Sequence, residues 1–175
     1  TAAAAARFGF ECILVLAGDP TLDQGTTANL LLDQLLGAKI IWTSREGRDQ
    51  ALEAAFQDAW NAGKRPYRVP YGGSSPVGAA AYAYALGELL EQGIHPDTIV
   101  FATSSGGTQA GLVLGKDLFG YNGRILGISV DEPAQQLKNH VADLANQTAD
   151  LLDTPIRIDP ESVIVDDHYL GAGYG

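Results

Sequence analysis

"TIVFATSSGGTQAGLVLGKDLFG", residues 98–120, decides the fold. A β-branched, apolar run ends at Ser104, Ser105, Gly106, Gly107 and Thr108, and a helical pattern begins directly after it. A continuous apolar run bounded by turn residues reads as a strand buried on both faces. In open parallel sheets, ligands sit beyond the carboxyl ends of the strands. A loop there presents backbone N–H groups at a helix N-terminus, which suits an anion. Gly106 and Gly107 let the main chain approach closely, and Ser104, Ser105 and Thr108 add hydroxyls. Gly106 and Gly111 have the glycine spacing of a nucleotide-binding loop, but Leu112 stands where that loop requires lysine. A single phosphate monoester therefore fits better than a nucleoside triphosphate. Taken alone, a tight turn with an ordinary cap explains these residues equally well.

Outward from this stretch, helix and strand signals alternate. "TAAAAARF" reads as a helix stopped by Gly9, and "CILVLAG" (12–18) as a buried strand. "TTANLLLDQLLG" has Thr26 or Thr27 as a cap, leucines on one face and Gly37 as a stop. "AKIIWTS" predicts a second strand, and "RDQALEAAFQDAWNAG" a helix closed by Gly63. "YRVPYGG" reads as a strand running into a turn. "SSPVGAAAYAYALGELLEQG" then opens with Ser75 as cap and Pro76 at the first helical position, where its missing N–H costs nothing. This helix is small and apolar throughout, which predicts burial on most sides. "RILGISV" and "SVIVDD" are further strands, separated by a helix with Leu137, Val141, Leu144, Thr148 and Leu151 on one face. The predicted class is α/β, with parallel sheets covered by helices on both faces.

The chain has 175 residues, 46% of them hydrophobic, enough for one ordinary domain or two small lobes. No apolar run approaches the roughly 18 residues that span a bilayer. A net charge of −10 argues against nucleic acid or an anionic membrane as partner. Cys12, the only cysteine, allows no internal disulfide, which suits the cytoplasm. The start "TAAAAARFG", the absence of methionine and the glycine-rich end "GAGYG" suggest an internal piece of a longer protein.

Other candidate residues have plainer rivals. Asp166, Asp167 and His168 are adjacent in a strand, where side chains alternate faces, so they do not all meet one metal ion. No metal site is expected. His95 and His140 read as surface residues. Tyr169 and Tyr174, on a glycine-flexed segment after a strand, either line a pocket or are ordinary half-buried tyrosines.

Three stretches, "YRVPYGGSSPVGAAAYAYALGEL", "VFATSSGGTQAGLVLG" and "VDDHYLGAGYG", resemble in order and spacing D-cysteine desulfhydrase and its relative 1-aminocyclopropane-1-carboxylate deaminase. "NLLLDQLLGAKI" is also typical of these enzymes. The resemblance covers essentially the whole chain. It implies two lobes of the tryptophan-synthase-β-like fold, incomplete at both ends: a small α/β lobe over residues 1–70 and a large cofactor-binding lobe over 71–175. It implies pyridoxal 5′-phosphate as cofactor, with Ser104, Ser105, Gly106, Gly107 and Thr108 as the phosphate loop. Tyr174, and less securely Tyr169, match the tyrosine segment over the substrate. That assignment requires the amides of 104–108 to face outward, with no side chain filling the bend.

The resemblance places the Schiff-base lysine before Thr1. Lys39, Lys64, Lys116 and Lys138 stand in other contexts, so this chain alone is expected to be inactive. The implied activity is that of a lyase or deaminase of a small amino acid, acting as a homodimer. The expected reading is a D-cysteine desulfhydrase releasing pyruvate, ammonia and sulfide, because "GGSSPVGA" looks closer to that branch. The alternative is the cyclopropane-amino-acid deaminase. From other classes, a non-catalytic phosphate-ligand-binding domain and a sugar-phosphate enzyme also accommodate the loop.

Overall fold

A computed structural model of the chain describes residues 1–18 and 28–171. The chain divides into two compact units, Thr1–Arg68 and Val69–Gly175.

The first unit contains α1 (Ala2–Phe8), β1 (Ile13–Ala17), α2 (Ala28–Leu35), β2 (Lys39–Thr43) and α3 (Arg48–Asn61). Gly9 ends α1 in the left-handed conformation, and the Phe10 amide reaches back to the Ala5 carbonyl at 2.8 Å. β1 and β2 pair in parallel, Ile13 opposite Lys39 through Ala17 opposite Thr43. On α3, Phe56 and Trp60 stack with centroids 6.3 Å apart, and the Arg65 guanidinium lies 5.1 Å from the Trp60 ring. The leucine face of α2 departs from expectation, because Leu31, Leu32, Leu35 and Leu36 are all exposed. The proposed caps Thr26 and Thr27 lie outside the described residues.

The second unit carries α4 (Pro76–Glu91), β3 (Thr98–Thr103), α5 (Gly107–Phe119), β4 (Arg124–Ser129), α6 (Ala134–Leu151) and β5 (Ile164–Asp166). Its sheet has the order β3-β4-β5, all parallel, with Thr98 opposite Arg124 and Leu126 opposite Ile164. The core lies among α4, α5, α6 and this sheet. Leu86, Leu114, Leu137 and Val141 are essentially inaccessible, and burying each leucine stabilises the fold by about 1.5–3 kcal/mol. α5 is buried along most of its length, from Gly107 to Gly115 except for the half-buried Thr108.

Two glycine-rich faces let α4 and α5 approach closely. A Cβ at Gly111 would stand 2.1 Å from the Ala79 carbonyl oxygen. The small residues of α4 serve this contact: Ala79, Ala83 and Gly87 are buried, with Leu86 beside them. α4 is therefore buried along one stripe, not on most sides, and Val77 and Tyr84 are 63% and 58% exposed. The sequence overstated its burial because alanine suits a helix on either side of an interface.

Two further expectations change. "YRVPYGG" forms no strand, since only a 3₁₀ turn at Tyr71–Gly73 follows the extended chain. Pro66 and Pro70 lack the N–H that a sheet ladder needs. On α6, Leu137, Val141, Leu144 and Thr148 are buried as predicted, but Leu151, at the helix end, is 52% exposed. Among the described residues no helix is long and apolar enough to cross a membrane.

Candidate functional site

Because β3, β4 and β5 are parallel, their carboxyl ends share one edge. The residues after β3, 104–106, therefore meet those after β4, where Asp131 and Glu132 lie. A cavity of about 200 Å³ opens at this edge, lined chiefly by Tyr71, Ser104, Ser105, Asp131, Glu132 and His140.

The bend into α5 is built by Gly106, whose φ of 75° is left-handed and open to glycine at little cost. It caps a 13-residue helix whose first amides point off its end. Such amides carry the positive end of the helix dipole. Among the described residues the amides of Gly106, Thr108 and Gln109 have no partner. The Gly107 amide does have one. It donates to Ser74 Oγ at 3.1 Å, and Ser74 Oγ in turn donates to Ser105 Oγ at 2.8 Å. The expectation of a bend filled by no side chain is thus corrected at one amide, which a serine from the turn before α4 occupies.

The flank toward β4 is acidic. Ser104 Oγ donates to Asp131 Oδ2 at 2.6 Å, and the Tyr71 hydroxyl lies 3.4 Å from Ser104 Oγ. Asp131 is held by a local turn in which Ser129 Oγ donates to the Glu132 carbonyl at 2.6 Å and accepts from the Glu132 amide at 3.2 Å. His140 is exposed, as expected, yet its Nε2 stands 3.2 Å from the Ser105 carbonyl oxygen.

Ser74 and Asp131 were not singled out from the sequence, and His140 was read there only as a surface residue. For Asp131 a signal exists: it follows an apolar run that precedes a helix, as Ser104 does, and adjacent parallel strands bring such ends together. His140 gives none, because its approach depends on how α6 crosses the sheet.

The segment after β5 is tied down differently. Asp167 Oδ2 accepts the Ala134 amide at 2.7 Å, capping the start of α6. Asp166 Oδ1 accepts from the His168 amide at 2.9 Å and lies 2.7 Å from its Nδ1. The hydrogen bond from the His168 amide, followed by that to its ring, lowers the Asp166 pKa. The same carboxylate, by side-chain hydrogen bonding and charge, raises that of His168. Tyr169 is 73% exposed and does not line the cavity, and Tyr174 lies outside the described residues. Lys116 sits at the far end of α5, its Nζ on the Gly123 carbonyl at 2.8 Å. Among the described residues no three histidine, cysteine or acidic side chains gather in a way that would hold a metal ion.

A helix N-terminus with open amides, set at the carboxyl edge of a parallel sheet, defines a class of anion-binding α/β protein. The whole chain, residues 1–175, matches the family of pyridoxal-phosphate-dependent enzymes, and it belongs to that family. Within it, the chain is 33% identical over 165 residues to a Pyrococcus abyssi protein provisionally named 1-aminocyclopropane-1-carboxylate deaminase, covering 90% of this chain and 49% of the relative. It is 30% identical over 188 residues to the 1-aminocyclopropane-1-carboxylate deaminase of Burkholderia ambifaria, covering 99% and 55%. A crystal structure of an ACC deaminase homologue superposes with a TM-score of 0.77 at 31% identity, covering 94% of this chain and 50% of that one. The chain thus spans about half the length of the relatives it matches. Their names carry the deaminase, the second of the two activities that the resemblance implied.

The residues present fit the family's cofactor. Three unpartnered amides and the Ser105 hydroxyl meet at one helix end, as a phosphate monoester requires. The acidic residues Asp131 and Glu132 on the cavity's flank oppose an anion.

Proposed function

We propose that the whole protein is a pyridoxal-phosphate-dependent deaminating lyase of a small amino acid, with 1-aminocyclopropane-1-carboxylate as the favoured substrate. The observation that carries this reading is the group of open amides at Gly106, Thr108 and Gln109. It is supported by the family match over the whole chain and by the names of the relatives.

In this reading Ser105, Gly106, Gly107 and Thr108 hold the cofactor's 5′-phosphate, with Ser104 beside them. Bound there, the cofactor's ring supplies an electron sink for charge developing at the substrate α-carbon. The main-chain amides fix the phosphate and so orient the ring relative to the sheet edge. Ser74 gives up the Gly107 amide, or shares it, when the phosphate enters. Tyr169 and Tyr174 stay candidates for the substrate side, on the resemblance alone.

A D-cysteine desulfhydrase is the second reading, favoured by the "GGSSPVGA" turn at residues 72–79, which supplies Ser74 to the bend. Activity measurements on the purified full-length protein separate the two. The favoured reading predicts ammonia and a four-carbon oxo acid from the cyclopropane substrate, and little sulfide from D-cysteine. Sulfide and pyruvate from D-cysteine alone would establish the second reading. Cofactor binding without turnover of either compound would favour a non-catalytic phosphate-ligand domain. A homodimer, the expected assembly, is checked by sedimentation of the same preparation.

A further inference from the structure

We propose that Asp131 is a positioning residue that sets the polarity of the bend, so that the adjacent residues Ser104 and Ser105 meet a bound phosphate with opposite hydrogen-bonding character. This rests on the phosphate reading of residues 105–108 given above.

A serine hydroxyl has one proton to donate and two lone pairs to accept with. Ser104 spends its proton on Asp131 Oδ2 at 2.6 Å, within the range of a charge-assisted O–H···O⁻ bond. What Ser104 turns to the cavity is lone-pair density, and a phosphate oxygen is repelled by it. Ser105 is the reverse. Its oxygen accepts from Ser74 Oγ at 2.8 Å, and Ser74 Oγ accepts from the Gly107 amide at 3.1 Å. The Ser105 proton has no acceptor among the described residues and is free for an anion. Hydrogen bonds in such a chain polarise one another, which strengthens Ser105 as a donor.

Asp131 is placed for this role by the main chain. The Val130 amide donates to the Thr103 carbonyl at 3.2 Å, fixing the residue before Asp131 against the end of β3. Its second oxygen, Oδ1, is buried without a partner, so the hydrogen bond from Ser104 is the one its carboxylate receives. Of the other ionisable groups at the cavity, His140 reaches the Ser105 carbonyl, the Glu132 main chain is bonded to Ser129, and the Tyr71 hydroxyl lies 3.4 Å from Ser104 Oγ, to which it donates once the Ser104 proton is committed to Asp131.

The test is a titration of the purified protein, freed of cofactor, with inorganic phosphate and with pyridoxal 5′-phosphate, read by ³¹P NMR and by cofactor absorbance. Ser105→Ala should weaken phosphate binding roughly tenfold or more, as loss of a hydrogen bond to an anion does. Ser104→Ala should leave it within about threefold of the original. Asp131→Asn should strengthen it about threefold or more, because an amide oxygen holds the Ser104 proton more weakly than a carboxylate does and lets it turn to the phosphate. That gain should vanish in the Asp131→Asn/Ser104→Ala double variant, and Asp131→Glu should restore the original affinity. A loss of affinity in Asp131→Asn would overturn the proposal, as would a gain that survives in the double variant, which charge removal alone would explain. Should Asp131→Asn not fold, equal losses in Ser104→Ala and Ser105→Ala overturn it. Unchanged affinity in Ser105→Ala is a separate outcome, in which the phosphate site itself falls.

Discussion

The Ser74 hydroxyl accepts a hydrogen bond from the Gly107 amide at 3.1 Å, across 33 residues of sequence. It ties the turn before α4 to the first amide of α5. Ser74→Ala should expose this amide. A net contribution of about 1 kcal/mol per hydrogen bond predicts roughly fivefold faster hydrogen exchange at Gly107. An unchanged rate would mean that the bond is not formed in solution.

Gly111 permits the close crossing of α4 and α5. A Cβ there meets the Ala79 carbonyl oxygen at 2.1 Å and Tyr82 Cβ at 2.7 Å, both held by α4. Neither atom is the free end of a flexible chain. Gly111→Ala should destabilise the protein by about 1–3 kcal/mol, as overpacking does, despite alanine's better helix propensity. Chemical denaturation measures this, and a stabilised variant would contradict the packing described.

The crossing was only partly legible in the sequence. Strand and helix order followed from apolar runs and from glycines at helix ends, because local periodicity and chain breaks report on local geometry. Ser75 and Pro76 marked the start of α4, and Ser75 Oγ accepts the Gly78 amide at 3.2 Å. The turn at 104–108 was legible because a glycine–serine cluster between an apolar run and a helical pattern marks a break in the chain. Partners brought from a distance were not legible. Ser74 and Asp131 lie 33 and 27 residues from the atoms they bond, and no local pattern encodes such spacing. The failed strand at "YRVPYGG" shows Val69 and the two tyrosines outweighed by Pro70 within the stretch and Pro66 just before it.

The Asp167 carboxylate closes the start of α6 through the Ala134 amide at 2.7 Å. Asp167→Ala should cost about 0.5–2 kcal/mol, the usual loss on removing a helix cap. Asp167→Asn, which keeps an acceptor oxygen, should recover most of it. Equal losses in both variants would rule out a capping role.

Asp166 and His168 predict a pH window. The His168 pKa is raised, so its contribution is present below the ordinary histidine value of 6.5 and is lost as pH rises through the raised value. The Asp166 pKa is lowered, so its contribution is present above the ordinary 3.8 and is lost as pH falls through the lowered value. Both groups are charged between these limits, and the pair is strongest there. The histidine is 86% exposed, so the effect is small and screened by salt. An NMR titration of the His168 ring should show its midpoint falling in Asp166→Asn. A midpoint that does not move would contradict the pairing.

The central claim, that the start of α5 receives the cofactor's phosphate, is tested most directly by amide NMR of the cofactor-free protein titrated with pyridoxal 5′-phosphate and with inorganic phosphate. The structure predicts that the amides of Gly106, Gly107, Thr108 and Gln109 shift first and furthest with both ligands. Shifts confined to other parts of the chain, with these four amides unmoved, would contradict it.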